Sequence, residues 1–220
     1  DEADELFSNY SIRRNDALIF AEILSGWSEI EYWYGGGGAN SKNPMRFLDY
    51  QIKQTAGSAF NGNIGVLNNF GISYDPTNGI YYVWGHDEGG PSKINLAYAY
   101  TLTHVGMPMV YYTGNNINWD DSGRTSDKKT WMIPGYDSQA LGEQYNDVPN
   151  MVYVHQNFAR GREYNRWPGD NDAFAFERYD DLDSDSTPDT GESLLLVALN
   201  DSGGDKTLNG VPVSFTNNTI

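Results

Sequence analysis

Apolar positions follow two patterns along the chain, and the change from one to the other divides it. In the first pattern, short apolar runs alternate with longer polar or periodic stretches. ALIFA (17–21) reads as a buried strand that stops at Glu22, and the run 45–48 as a second strand that stops at Asp49. Residues 50–60 read as a helix. IYYVWGHDEGGPSKINLAYAYTLTHVGMPMVYY (80–112) reads as strand, polar loop, apolar-periodic helix and strand. Its first strand ends at Val83-Trp84, just before His86-Asp87, and its last spans 109–112. Short strands alternating with helices predict βαβ units and a parallel sheet. Residues 4–14 read as the tail of an amphipathic helix, 25–43 as a Trp/Tyr/Gly-rich loop, 113–145 as loop and 146–160 as partly helical.

The second pattern begins after Trp167-Pro168-Gly169-Asp170. AFAFERY (173–179), SLLLVALN (193–200) and TLNGVPVSF (207–215) read as strands joined by polar turns, with no helices between them. The expected organisation is an α/β unit over 1–169 and an all-β unit over 170–220, with no internal repeat.

Position turns these elements into candidate chemistry. Three of the four predicted α/β strands end in a carboxylate or a His-carboxylate pair: Glu22, Asp49 and His86-Asp87. Parallel strands bring their C-terminal ends to one face, where barrel and doubly wound enzymes keep their reacting groups. Several acids at one mouth suit glycoside hydrolysis. One carboxyl protonates the leaving oxygen, and another attacks the anomeric carbon or activates water. The competing reading of each strand-end acid is a cap for the following helix. Trp27, Tyr32, Trp33 and Tyr34 offer flat rings for sugar faces, and the competing reading is that they cover the sheet end.

Charge narrows the partners. The net charge of −16 disfavours nucleic acid and anionic membrane surfaces, whereas a neutral ligand such as a sugar fits. It also fits high-salt or extracellular conditions. Hydrophobic residues at 39% and aromatics at 14% of 220 residues suffice for a substantial core. With no cysteine, disulfides and thiolate metal sites are excluded. No apolar run approaches membrane-span length. The opening Asp1-Glu2-Ala3-Asp4, without an initiator Met, predicts a processed or cut start.

DLDSDSTPDTGE (181–192) carries a separate signal. Asp181, Asp183, Asp185, Asp189 and Glu192 fall at the ligand spacing of an EF-hand-type loop, which predicts a Ca²⁺ site. Ser186 stands where that loop has glycine, and strands rather than helices flank it. An acidic hairpin loop solvated by water is the alternative.

Four segments resemble the α-amylase family of glycoside hydrolases. LIFAEIL (18–24) is similar to the fifth-strand motif, with Ala21 in place of the usual Gly. VWGHDEG (83–89) resembles the seventh-strand motif ending in His-Asp. AYAYTLTHVGMPMVYYTG (97–114) resembles the seventh helix and eighth strand. FARGREYNRW (158–167), with FAFERY (174–179) and LLLVALN (194–200), resembles the passage into the C-terminal domain. The resemblance implies the second half of a (β/α)8 TIM-type barrel, about strands five to eight, followed by part of an antiparallel β-sandwich.

The resemblance also implies roles. Glu22 matches the general acid/base, Asp87 the carboxylate that stabilises the transition state, and His86 the histidine that bonds sugar hydroxyls. Trp27, Trp33 and Tyr34 would line the substrate cleft. Asp49 matches no catalytic position. The family nucleophile, an Asp within Gly-x-Arg-x-Asp, has no counterpart in this sequence. A missing N-terminal half of the barrel is therefore the expected partner. The substrate expected is starch-like or malto-oligosaccharide, cleaved with retention, and the location expected is extracellular or periplasmic. The alternative is a non-catalytic, amylase-like glycan-binding or structural module. His104 and His155 read as structural, and Arg160, Arg162, Arg166 and Arg178 as partners of local acids.

Overall fold

A computed structural model describes residues 20–23, 46–68, 79–83, 91, 93–110, 147–167 and 169–215. Within them the chain forms β1 (Phe20–Ile23), β2 (Arg46–Asp49), α1 (Tyr50–Ala59), β3 (Gly79–Tyr81), α2 (Ile94–Thr103), β4 (Met107–Pro108), α3 (Asp147–Phe158), β5 (Arg162–Trp167), β6 (Ala173–Tyr179) and β7 (Ser193–Asn200). A 3₁₀ turn, Ile64–Leu67, follows α1.

The architecture is an α/β fold with one parallel and one antiparallel sheet. The first sheet runs β1-β2-β3-β4, every neighbouring pair parallel and in sequence order. The second runs β5-β6-β7, both pairs antiparallel. It begins at Arg162, ahead of the Trp167–Asp170 stretch.

Register assigns each parallel-strand residue to a face. Glu22 pairs with Leu48, Leu48 with Ile80 and Ile80 with Met107, so these four share one face. Ile23 pairs with Asp49 and Tyr81 with Pro108, and these lie on the other face. The first face carries a small apolar cluster of Leu48, Ile80 and Tyr82, joined by Tyr50, Met107 and Met109. The second face meets the helices.

The main core continues from Val83 through Ala56, Ala59 and Phe60 and through Ala97, Tyr98, Tyr100 and Leu102 of α2. It ends on Phe174, Phe176, Val197 and Leu199 of the antiparallel sheet. α1 buries Ile52, Lys53, Ala56 and Ala59, the spacing of a single helical stripe. α2 is buried more broadly, and its threonine hydroxyls are satisfied locally. Thr101 donates to the Ala97 carbonyl at 2.9 Å and Thr103 to that of Ala99 at 2.6 Å.

The C-terminal end of α2 is where the two sheets are tied. Arg178 of β6 is buried, and its Nη1 donates to the Thr103 carbonyl at 2.7 Å. Its other nitrogens donate to the carbonyls of Gly161 (2.8 Å) and Arg162 (3.2 Å). These bonds satisfy a helix-end carbonyl with a cation. Burial lowers the Arg178 pKa, opposed by the charge of Glu163. Glu163 Oε2 accepts the Val105 N–H at 3.0 Å and lies 2.8 Å from His104 Nδ1. The His104 ring stacks on Tyr81 and Tyr100 at centroid distances of 5.4 and 4.7 Å. His104 is thus the C-cap of α2 rather than a residue within it.

Three expectations change. Residues 207–215 form no strand: Asn209-Gly210 is a turn, Gly210 takes φ +71°, and Pro212 has no N–H to give a ladder. The segment instead touches the hairpin through the Gly191 N–H to the Ser214 carbonyl, 3.1 Å. β4 occupies Met107–Pro108 rather than starting at residue 109, although Met109 N–H still donates to the Tyr81 carbonyl at 2.7 Å. β1 runs through Glu22 to Ile23 instead of stopping before it.

Candidate functional site

Glu22 stands at the C-terminal end of β1, on the face opposite Asp49, and is exposed. Phe20, two residues earlier on the same face, is 48% exposed. Beyond the Leu48–Ile80–Met107 row, Tyr50 at the first position of α1 and Tyr82 and Met109 just past their strands pack on the same apolar cluster. Aromatic rings and thioethers therefore flank the end of the sheet that carries Glu22. Tyr82 is 4% exposed. Its phenol pKa is pushed well above its ordinary value, first by burial and then by the charge of Glu22, with Tyr50 and Asp49 adding to it.

Asp49 belongs to the other face. Its Oδ1 accepts the Ile52 N–H at 3.0 Å and caps α1. The residue is fully buried, and Oδ2 has no hydrogen-bond partner among the described residues. Burial raises its pKa, against the backbone bonds from Ile52 and Gln51 and the charge of His104. Asp49 is a structural acid and does not converge with Glu22, so the capping reading holds for it.

His86, Asp87, Trp27, Trp33 and Tyr34 lie outside the described residues. Tyr82 and Tyr50 were not singled out from the sequence. The signal that points to Tyr82 is the period-two alternation from Ile80; Tyr50 opens α1 and carries no such signal.

The acidic loop 181–192 follows β6. Carboxylate oxygens of Asp181, Asp183 and Asp185 lie within 4.8 Å of one another. Hard oxygen donors gathered at that spacing are the donor type Ca²⁺ takes. Each acid also has a local bond. Asp181 pairs with Arg162 Nε at 2.8 Å and accepts the Ser186 N–H at 3.2 Å. Asp183 accepts the Asp185 N–H, and Asp185 accepts both the N–H and the hydroxyl of Thr187. The Thr187 bonds lower the Asp185 pKa. Desolvation and then the charges of Asp185, Asp183 and Glu192 raise that of Asp189.

Glu192 is buried and uses both oxygens to close the loop, accepting the N–H groups of Leu182 (2.8 Å) and Asp189 (2.9 Å). The convergent set is thus three aspartates, with Glu192 as a brace. Ser184 and Ser186 take φ values of 65° and 69°, so serine occupies the left-handed region at the glycine position of the EF-hand pattern.

The arginines flank this unit as expected. Arg160 meets Asp180 at 3.3 Å, and Arg166 is ion-paired with the fully buried Glu177. Arg178 departs from the expectation by holding carbonyls. His155 Nδ1 lies 2.9 Å from the Leu102 carbonyl, joining α3 to α2.

No family model and no curated protein matches the sequence. Among solved structures, the chain is similar to the gamma-CGTase of alkalophilic Bacillus clarkii, a cyclomaltodextrin glucanotransferase of the α-amylase family. The TM-score is 0.64 at 21% identity, over 94% of this chain and 31% of that one. The chain therefore has the fold of a segment of an amylase-family structure and spans about a third of that neighbour's length. The resemblance carried by the sequence motifs is matched at the level of the fold.

Proposed function

We propose that this chain is the second half of the catalytic barrel and the start of the C-terminal β domain of an α-amylase-type enzyme that cleaves α-glucosidic bonds of starch-like or malto-oligosaccharide substrates with retention. The observation that carries the reading is the position of Glu22: an exposed carboxylate at the C-terminal end of a parallel strand, on the face of the sheet opposite Asp49, in a chain with this fold. Glu22 protonates the glycosidic oxygen as the C–O bond breaks, and the aglycone leaves as an alcohol. A nucleophilic aspartate outside this chain takes the anomeric carbon. Glu22 then removes a proton from the attacking water, or from a sugar hydroxyl when a glycosyl unit is transferred. Retention sets the two carboxyls about 5–5.5 Å apart. Asp87 and His86 hold the hydroxyls of the distorted sugar, and Trp27, Trp33 and Tyr34 stack on its faces.

The rest of the barrel is the required partner. Its support is the 31% share of the neighbour and the open outer edge of β1, whose strand partner among the described residues is β2 alone. An extracellular or periplasmic location is part of the same reading, supported by the net charge of −16. Among the described residues, no helix is long and apolar enough to cross a membrane.

In the complete protein, Glu22→Gln is expected to abolish cleavage of a malto-oligosaccharide while leaving its binding intact. Wild-type turnover in that variant would refute the role. The second reading, a non-catalytic glycan-binding module, is favoured by the absence of Gly-x-Arg-x-Asp from the sequence. Binding without turnover in the wild-type complete protein would select it.

For the acidic loop we propose a structural Ca²⁺ site formed by Asp181, Asp183 and Asp185, with Asp189 beside it and Glu192 holding the loop closed. Calorimetric titration with Ca²⁺ is expected to give heat with the wild type and none with Asp183→Ala. Equal heats would remove the site.

A further inference from the structure

We propose that Asn209-Gly210 is a site of spontaneous chemical modification, where water replaces the asparagine amide, and that the fold leaves this pair open while it protects Asn61-Gly62. The sequence holds three Asn-Gly pairs, at 61–62, 78–79 and 209–210. Glycine after asparagine favours the reaction because no Cβ shields its nitrogen and its backbone turns freely. The Gly210 nitrogen attacks Asn209 Cγ. Its proton passes by way of water to the amide nitrogen, which leaves as ammonia, and a five-membered succinimide closes. Water then opens the ring. Opening at Cγ gives aspartate. Opening at the main-chain carbonyl gives isoaspartate, whose backbone runs through the side chain and is longer by one methylene. Asparagine and water become an acid and ammonia, with no change of oxidation state, so no co-reactant besides water is needed.

Two of the pairs can be compared directly; Asn78 lies outside the described residues. Asn61, Gly62, Asn209 and Gly210 are all exposed, and a Cβ at either glycine would meet nothing within 4 Å. Solvent and space are therefore equal at the two sites. Hydrogen bonding is not. Just past α1, the Gly62 N–H donates to the Ala59 carbonyl at 3.0 Å, and Asn61 Nδ2 donates to the Gly57 carbonyl at 2.9 Å. The attacking nitrogen and the leaving amide are both held, and both bonds must open before the two groups meet. Asn209 and Gly210 make no hydrogen bond among the described residues.

The open pair lies between two anchors. Lys206 Nζ holds Asp170 and Asp172 on one side. On the other, Ser214 accepts the Gly191 N–H at 3.1 Å, donates its hydroxyl to the Pro188 carbonyl at 2.7 Å, and receives Arg166. The turn between them can bend to bring nitrogen to Cγ without breaking either anchor. A product at 209 lies on the segment that fastens the acidic loop. It adds one negative charge to the −16 of the chain, and as isoaspartate it also lengthens the segment.

Ageing the complete protein at mildly alkaline pH tests this, with peptide mapping by mass spectrometry and enzymatic methyl labelling of isoaspartate. Asn209 is expected to convert first, and Asn61 to lag on the order of tenfold, the opening penalty of its two hydrogen bonds. Asn209→Gln is expected to remove the early labelled product. In urea the two sites are expected to convert at similar rates. No conversion at Asn209, or equal rates at both sites in the folded protein, overturns the inference. A gap that persists undiminished in urea also overturns it, because sequence neighbours rather than the fold would then set the rates.

Discussion

The two sheets of this molecule contrast in what they need and what they offer. β6 buries all seven of its residues, including Glu177 and Arg178, and has a partner strand on each side. Its charges are matched internally: Glu177 takes Arg166 and the Ser193 hydroxyl, and Arg178 takes three carbonyls. The parallel sheet has strands of four, four, three and two residues. Its first strand leaves Phe20 and Glu22 exposed. The candidate chemistry lies on the sheet that is less complete by itself. A reacting carboxyl needs solvent and substrate access, and a buried strand with every charge paired offers none.

The contrast can be broken where it is strongest. Glu177→Ala would leave the largely buried Arg166 guanidinium without its carboxylate, held only by the Ser214 hydroxyl, and is expected to destabilise the protein by about 3 kcal/mol in urea unfolding. A loss under 1 kcal/mol would mean that the pair does not organise the antiparallel sheet. Next comes the junction. Gly106 takes φ +112°, and a Cβ there would meet the Tyr81 ring at 2.5 Å. Gly106→Ala is expected to cost about 2–4 kcal/mol from backbone strain and displacement of the ring that stacks on His104. A crystal structure of the variant with Tyr81 unmoved would contradict this.

Asp49 gives a smaller effect with a pH signature. Asp49→Ala loses the α1 cap and is expected to cost about 1 kcal/mol, and Asp49→Asn less, since Asn also caps. Burial raises the Asp49 pKa, so its protonated form is favoured by the fold. Its contribution to stability is fully present below the ordinary value of 3.8 and is lost as pH rises through the raised, folded-state value. The wild type should therefore gain on Asp49→Asn as pH falls from neutral toward 4. A constant difference in unfolding free energy would count against the buried carboxyl. Smallest of all, Glu22→Gln should alter stability by less than about 0.5 kcal/mol, because the side chain is exposed. A large loss would make Glu22 part of the scaffold.

The sequence was most legible where one residue pattern decided everything. AFAFERY matches β6, buried along its whole length, and SLLLVALN matches β7, whose buried Val197 and Leu199 alternate with exposed residues. Residues 50–60 match α1, and 146–160 contain α3. TLNGVPVSF misled because its alternating Val and Phe outweighed Gly210 and Pro212, which govern the backbone. The end of β1 differs for a related reason: a polar residue reads as the end of an apolar run, yet an open face tolerates a carboxylate within the strand. The division of Glu22 from Asp49 was not legible at all. Both follow an apolar run, and only register between strands shows that they point to opposite faces. Tyr82 was missed because its partners come from other strands.

The grip of Arg178 on Thr103, residues 75 apart in sequence, bears on how such a protein can be rearranged. Exchanging the antiparallel sheet with that of a relative would hand α2 a foreign end-piece. Unless the donor brings an arginine at that position and an acid facing His104, the last turn of the helix loses both of its anchors at once. Recombination would therefore succeed more often when a cut moves 103–105 together with 161–178 than when it falls between them. Viable chimaeras selected from a random-crossover library would show that linkage.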